Sequence, residues 1–248
     1  MTPDDEVPLT GGFVNDVVRV GDTVRRPPGE RAAFVHALLR HLAAHGWPGA
    51  PRYLGDDEHG REMLTYVDGH VAAQERQPES VTSDESLRAV AVLVRELHEL
   101  TAGTELAATA EVVCHNDLSP KNTVYRDTGA GLRPVTFIDW DIAAPGARVH
   151  DVAHVCWQYV GLGPSVDDVG EAARRVRVIC DAYGLDHRRD LVDTVLWWQE
   201  RCWRGIEAAA ADGDPAMAAL RDGGVAEQVR AAHRWTLDHR DALERALG

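Results

Sequence analysis

Three polar residues near the middle of the chain have types and spacing suited to phosphoryl transfer. His115, Asp117 and Asn122 form a His-x-Asp-x4-Asn pattern between two short β-rich segments. A carboxylate such as that of Asp117 can accept the proton of an attacking hydroxyl, and the amide oxygen of Asn122 can bind a hard cation such as Mg²⁺. The pattern on its own arises often by chance, so its meaning depends on the segments around it.

A second acidic segment supplies the metal-binding carboxylate that the first one lacks. Asp139 and Asp141 flank Trp140 at the end of an apolar run over residues 134–138. Phosphoryl transfer requires Mg²⁺ to be held against the nucleotide phosphates, and Asp139 can share that task with Asn122. Asp141 is either a further metal ligand or the cap of a following helix.

The N-terminal part of the chain is predicted to be rich in short strands. β-rich runs at 17–20, 23–25 and 62–67 are separated by turn signals. Between them, residues 31–45 have apolar side chains spaced as on one face of a helix. We therefore expect a small sheet that packs against a single helix.

The remainder is predicted to be mainly helical. Residues 72–82 are polar and typical of a linker, and Thr82–Glu85 has the pattern of a capping box. Beyond residue 146 the pattern is helical, with breaks at glycines and prolines. The predicted fold class is α+β, with a small β-rich lobe at 1–70 and a larger, mainly helical lobe at 71–248.

The motifs at 112–153 resemble those of the aminoglycoside phosphotransferase-like family, which is related to choline kinases and protein kinases. His115–Asn122 is similar to the catalytic loop of that family, and Phe137–Asp141 to its metal-binding segment. His150–Ala153 is similar to an Asp-Leu-Ala helix start of that family, where Asp151 would support the backbone of the catalytic loop or, equally, cap its own helix. The resemblance implies a bilobal, protein-kinase-like fold.

The same resemblance implies roles for the residues of the two motifs. Asp117 would be the catalytic base, and His115 would brace the catalytic loop. Asn122 and Asp139 would bind Mg²⁺, and Asp141 would assist with a second metal ion. These assignments imply a phosphotransferase that uses ATP or GTP with Mg²⁺.

The nucleotide itself is expected to lie against the N-terminal lobe. Backbone amides at Gly11 and Gly12 could approach phosphates, although two adjacent glycines are nearly as typical of an ordinary turn, and Asn15 lies at the neighbouring turn. Thr65 and Tyr66 lie at the end of a predicted strand that resembles the hinge, where backbone groups would bind the purine.

One departure from the family pattern concerns the phosphate-binding lysine. The only lysine of the chain is Lys121, inside the catalytic loop, so the matching position on the third strand is assigned to Arg25. Kinase relatives pair this cation with a helix glutamate, but the helix at 31–45 contains no carboxylate. Either Glu30 substitutes for it or Arg25 acts unpaired, and His36 occupies the position where the partner is expected.

Composition narrows the function further. The net charge of −14 argues against nucleic acid as a partner, because phosphates require basic surfaces. No apolar run is long enough to span a membrane, and four dispersed cysteines favour a reducing, cytoplasmic compartment. The acidic balance is compatible with a cationic acceptor, for which Glu200 and Glu207 are candidate contacts.

The sequence thus predicts transfer of a γ-phosphoryl group from a magnesium nucleotide to a hydroxyl of a small molecule, for example an amino sugar or an amino alcohol. A catalytically weak, nucleotide-binding pseudokinase remains the alternative because of Arg25 and the missing helix carboxylate. A protein kinase is disfavoured, since the short stretch between Asp139 and Asp151 leaves no room for a long activation loop.

Overall fold

The computed structural model describes residues 6–9, 17–72, 77–129 and 131–247. The strands of the described chain are β1 (Val7–Pro8), β2 (Val18–Val20), β3 (Thr23–Arg26), β4 (Tyr53–Asp56), β5 (Glu62–Thr65), β6 (His70–Val71), β7 (Val112–Cys114), β8 (Thr123–Asp127), β9 (Leu132–Phe137) and β10 (Ala144–Gly146). The helices are α1 (Ala32–Ala44), α2 (Glu79–Thr82), α3 (Asp84–Thr101), α4 (Arg148–Val160), α5 (Val169–Tyr183), α6 (Leu191–Ala211), α7 (Pro215–Asp222), α8 (Val225–Asp238) and α9 (Arg240–Leu247).

An antiparallel sheet forms the N-terminal part, with strand order β1-β2-β3-β5-β4. Gly21 closes the β2–β3 hairpin with a φ of 58°, a conformation that glycine adopts without a steric penalty. Strands β3 and β5 are neighbours, and their register places Arg26 directly opposite Glu62. Residues that face each other in this way have their side chains on the same side of the sheet.

Helix α1 buries the apolar face that the sequence predicts. Val35, Leu38, Leu39 and Leu42 are almost fully excluded from solvent. His36 is also buried in this helix, which is unusual for a polar residue unless it has a partner. Its partner is described below with the site.

Two smaller sheets carry the loops of interest. β7 pairs with β10, and β8 lies between β6 and β9. The loop after β7 contains the His-x-Asp-x4-Asn pattern, and the turn after β9 contains Asp139 and Asp141. The main chain joins the two segments, because Ile138 N–H donates to the carbonyl of Asn122 at 2.9 Å.

The chain divides into two compact units, 1–86 with 95–148 and 87–94 with 149–248. The lobe boundary predicted between residues 70 and 71 falls inside the first unit, because β6 pairs with β8 there. The division into lobes at 1–70 and 71–248 stays a prediction. All strands of the described chain belong to the first unit, and so do the two loops that follow β7 and β9.

The second unit is helical, as expected. Helix α6 packs against α7 and α8, and α5 packs against α9. The predicted breaks lie between these helices, and Gly184 ends α5 in the left-handed conformation typical of helix C-termini. In the described part of the chain, no helix combines the length and the apolar character needed to cross a membrane.

The beginning of α3 differs from the predicted capping box. Ser83, not Thr82, is the N-cap residue, and its hydroxyl accepts a hydrogen bond from Ser86 N–H at 3.2 Å. Thr82 instead closes the short helix α2, where its hydroxyl donates to the carbonyl of Glu79. Helix α3 begins at Asp84, so the extended residue directly before it, in the N-cap position, is Ser83.

Candidate active site

Asp117 and Asn122 meet at the two ends of the loop between β7 and β8. The Asn122 side-chain amide donates to Asp117 Oδ2 at 2.8 Å and to the Asp117 carbonyl at 2.9 Å. Asn122 is buried, and Asp117 is half-buried. Because the amide nitrogen of Asn122 makes both bonds, its amide oxygen is the atom suited to binding a cation.

His115 connects this loop to the segment that follows β9. It is fully buried, and its Nδ1 accepts a hydrogen bond from Asp117 N–H at 3.3 Å. Nε2 then carries the proton and donates to the Ile138 carbonyl at 3.2 Å. The ring also packs against Phe137 and Trp140. These contacts support the predicted bracing role of His115.

Two residues of the site have left-handed backbone conformations, which residues other than glycine rarely adopt. Asn116 and Asp139 have φ values of 67° and 65°. Such conformations cost about 1–3 kcal/mol each and persist only where the surroundings enforce them. The Asn116 amide donates to the Ile142 carbonyl at 3.0 Å, and the side chain of Asp139 remains half exposed.

The pKa of Asp117 is set first by its burial and then by the charges around it. Burial raises the pKa of Asp117 to about 6, the positive charge of Lys121 opposes this shift, and Asp139 and Asp141 add to it. A carboxylate with this pKa is mostly ionised at neutral pH and is a stronger base than an ordinary aspartate. It is therefore suited to accepting a hydroxyl proton.

The cation beside these acids is Arg26. Its Nη1 and Nη2 donate to the carboxylate of Asp141, and Nη1 lies 3.6 Å from Asp139 Oδ1. Its Nε donates to Glu62 Oε1 at 2.5 Å. Arg26 is thus the arginine that the structure places beside Asp139 and Asp141.

Arg25, which the sequence favoured for this position, lies elsewhere. Its Nη1 is 3.7 Å from Asp57 Oδ2, in the turn between β4 and β5. Consecutive side chains on a strand point to opposite faces of the sheet, so only one of the two arginines can face the acids. The geometry therefore places Arg26 beside Asp139 and Asp141, and Arg25 on the opposite face of the sheet.

The sequence analysis did not identify Glu62 as a residue of the candidate site. Its carboxylate is buried between Arg26 and His36, whose Nε2 lies 2.6 Å from Glu62 Oε2. Glu30, the substitute considered from the sequence, is exposed before α1. The signal for Glu62 was an acid directly before the apolar pair Met63 and Leu64 of β5, but its meaning depends on the β3–β5 register.

The residues present fit a divalent metal ion. Carboxylate and amide oxygens are the donors that Mg²⁺ prefers, and Asp139 offers a half-exposed carboxylate. Four negative charges, those of Asp117, Asp139, Asp141 and Glu62, lie against the positive charges of Arg26 and Lys121. The site therefore has an excess of negative charge, which must be neutralised before nucleotide phosphates can bind.

The nucleotide positions predicted in the first lobe are only partly described. Gly11, Gly12 and Asn15 lie outside the described residues. Thr65 N–H donates to the Arg52 carbonyl at 2.9 Å, and Tyr66 N–H donates to the Asp22 carbonyl at 2.8 Å. Both backbone N–H groups are therefore already used within the protein, and a purine contact at these two residues stays a prediction.

The remaining candidates belong to the second unit. Asp151 is fully buried in the first turn of α4, and its support of the catalytic loop stays a prediction. Glu200 forms an ion pair with Arg204, and Glu207 forms one with Arg230. Their charges are thus compensated, which weakens the case for either as a contact to a cationic acceptor.

Comparison with known proteins defines the class to which this fold and site belong. Residues 5–110 and 102–183 match the phosphotransferase enzyme family. The chain belongs to that family. Over 98% of this chain and 99% of the relative, it is 32% identical to the trifolitoxin immunity protein of Rhizobium leguminosarum bv. trifolii.

Solved structures show the same fold. The GDP complex of aminoglycoside 2′-phosphotransferase-IIIa aligns with a TM-score of 0.61 at 13% identity, over 96% of this chain and 94% of that one. A choline/ethanolamine kinase family protein from Mesorhizobium loti aligns with a TM-score of 0.58 at 21% identity, over 98% and 92%. The α+β, kinase-like fold expected from the sequence is thereby confirmed.

Proposed function

We propose that this protein transfers the γ-phosphoryl group of a magnesium nucleotide, ATP or GTP, to a hydroxyl of a small molecule. The observation that carries this proposal is the position of Asp117. Its carboxylate is bonded to Asn122 and lies near Asp139 and Asp141, with Arg26 beside them. Membership in the phosphotransferase enzyme family supports the same chemistry.

In the proposed reaction, Asp117 acts as the general base. Its carboxylate accepts the proton of the acceptor hydroxyl as the hydroxyl oxygen forms a bond to the γ-phosphorus. The bond between that phosphorus and the β–γ bridging oxygen breaks, and the electron pair leaves with the nucleoside diphosphate. The products are a phosphate ester and a nucleoside diphosphate, with the proton held on Asp117.

Other residues of the site orient this carboxylate and screen the phosphates. Asn122 fixes one oxygen of Asp117, and His115 fixes the backbone of the same residue. Asp139 and the amide oxygen of Asn122 would hold Mg²⁺, with Asp141 assisting. When bound, the metal neutralises charge on the phosphates.

The relatives suggest what the acceptor is. One relative is named for immunity to trifolitoxin, and one of the solved structures with the same fold is an aminoglycoside phosphotransferase. We propose an acceptor of the same kind, a toxic compound that carries a hydroxyl. Amino alcohols are the second class to examine.

The test is release of nucleoside diphosphate from ATP and from GTP. The acceptors screened are aminoglycosides, macrolides, trifolitoxin, choline and ethanolamine. Acceptor-dependent release by the wild-type protein supports the proposal. Binding of nucleotide and acceptor without any release would instead favour the pseudokinase.

Asp117→Asn is the decisive variant in this assay. Loss of the base is expected to lower turnover by roughly 10²- to 10⁴-fold, while nucleotide still binds. Glu58→Gln is the matched control, because its carboxylate is exposed on the turn between β4 and β5. Turnover by Asp117→Asn at the rate of the wild type would rule out the assigned role.

A further inference from the structure

Glu62 is an acid that the protein buries and pairs on both sides. Only 2% of its side chain is exposed. One carboxylate oxygen accepts from Arg26 Nε at 2.5 Å, and the other lies 2.6 Å from His36 Nε2. Burying a carboxylate is costly unless both oxygens find partners, and Glu62 has one at each oxygen.

His36 fixes this carboxylate to α1. Its ring stacks on Tyr53 of β4, with 3.7 Å between ring centroids and an interplanar angle of 18°. The other side of Glu62 is fixed by the strand register, which places it opposite Arg26. Helix α1, β4, β5 and β3 therefore converge on a single carboxylate, although the helix itself contributes no acid.

The contact with Glu62 determines how the guanidinium of Arg26 is presented. Nε is used by Glu62, so the two Nη atoms face away from it, towards Asp141 and Asp139. Arginine offers five donors in a planar fork, and this fork binds carboxylate and phosphate oxygens with the same geometry. A lysine has a single nitrogen and could not present such a two-nitrogen edge while remaining bonded to Glu62.

We propose that Glu62, held by His36, is the positioning residue for a phosphate-binding Arg26, and that it replaces the missing helix carboxylate from an adjacent strand. Phosphate oxygens of the nucleotide exchange with the Asp141 carboxylate at the Nη edge, while Nε stays on Glu62. This inference rests on the proposed function, because it requires a nucleoside triphosphate as ligand.

The experiment measures binding by calorimetry rather than turnover. ATP and adenosine, and GTP and guanosine, are titrated into the wild-type protein and into Glu62→Gln, with Mg²⁺ present. We expect the triphosphate to bind about tenfold more weakly to Glu62→Gln, the usual effect of losing a charge-assisted hydrogen bond. Nucleoside affinity should stay within about twofold. Glu58→Gln, the same change on an exposed turn, is the control.

A double-mutant cycle separates positioning from a merely structural role. Arg26→Ala should weaken the triphosphate and spare the nucleoside, whereas Arg25→Ala should change neither. In the Arg26→Ala background, Glu62→Gln should have no further effect on triphosphate affinity, because Glu62 acts through Arg26. Additive losses would overturn the inference.

Further variants keep the proposal testable if Glu62→Gln does not fold. Glu62→Asp retains the charge but is one methylene shorter, and His36→Ala frees one side of the carboxylate. Each should lower the triphosphate-to-nucleoside affinity ratio by a smaller factor than Glu62→Gln. An unchanged ratio overturns the role of Glu62, even if the wild type phosphorylates an acceptor. If the wild-type protein binds nucleosides as tightly as it binds triphosphates, this inference and the proposed function are both overturned.

Discussion

Asp139 shows how the site uses an unfavourable backbone conformation. Its φ of 65° is maintained from the residue before it, since Ile138 donates its N–H to Asn122 and accepts at its carbonyl from His115 Nε2. These bonds connect the segment after β9 to the loop after β7. The strain is thus offset by contacts that also bring the half-exposed carboxylate of Asp139 near Asp117.

The first prediction concerns Asp139 as a metal ligand. Asp139→Asn keeps the shape of the side chain and tolerates the left-handed conformation, but it removes the charge. We expect Mg²⁺ to improve nucleotide affinity in the wild-type protein and to do so by about tenfold less in the variant. Calorimetry with and without Mg²⁺ measures this difference.

Asp68→Asn is the control, because Asp68 is exposed in the segment before β6. It should respond to Mg²⁺ as the wild type does. If Asp139→Asn also retains the full response, the metal is not held by Asp139, and Asp141 becomes the candidate.

Local spacing explains why the acids could be predicted and the basic residue could not. His115, Asp117 and Asn122 lie within eight consecutive residues, so their pattern is visible in the sequence. Arg26 and Glu62 are 36 residues apart and meet only through strand pairing. Two adjacent arginines on a short strand give no indication of which one faces the acids.

At the scale of single elements, the second prediction concerns the start of α3. Ser83 satisfies one of the free N–H groups of the first helical turn. Ser83→Ala should therefore lower the free energy of unfolding by about 1 kcal/mol, as measured by urea denaturation. Thr82→Ala, one residue away, lacks this role and should cost less. The reverse order would restore the capping box inferred from the sequence.

The third prediction concerns the turn between β4 and β5. Burial raises the pKa of Asp57, but hydrogen bonds from the backbone and side chain of Arg61 and from the His59 backbone outweigh it and lower the pKa to about 2. Because this pKa is depressed in the folded state, the stabilisation is fully present above the unfolded-state pKa, near 4. It is lost as the pH falls towards 2.

Asp57→Asn should therefore melt at a lower temperature than the wild type at pH 7. The gap between the two melting temperatures should persist down to about pH 5 and shrink between pH 4 and pH 2. Glu58→Gln, the exposed neighbour, serves as the control. A gap that stays constant across this range would show that the Asp57 charge does not stabilise the turn.

At the scale of the whole molecule, the fold class could be predicted from the order of strand-rich and helix-rich stretches rather than from individual elements. Strand-rich and helix-rich stretches follow each other in the predicted order, and the glycine breaks between α4 and α8 were recognisable. Strand order and the two compact units were not, because both depend on contacts between distant segments. The candidate site has the same limit, since its motifs are local but the position of Arg26 depends on the pairing of β3 with β5.

The whole chain also carries an excess of 14 negative charges, with 40 acidic residues against 26 basic ones. Such a field raises the local concentration of cations and fades with salt, over a Debye length of about 8 Å at physiological ionic strength. Glu200 and Glu207 have arginine partners. We therefore attribute any preference for a cationic acceptor to this overall field and to the acids beside Asp117, rather than to Glu200 or Glu207.

The last prediction follows from that field. Once an acceptor is found, a cationic form and a neutral form of the same shape should differ in KM and not in kcat, because the field acts before the chemical step. Raising the salt concentration from 20 mM to 500 mM should increase KM for the cationic acceptor on the order of 3- to 10-fold and leave KM for the neutral acceptor unchanged. The neutral acceptor is the control for effects of salt on the protein. If the best acceptor is anionic, or if KM for the cation does not respond to salt, the cationic preference is wrong, while phosphoryl transfer by Asp117 can still stand.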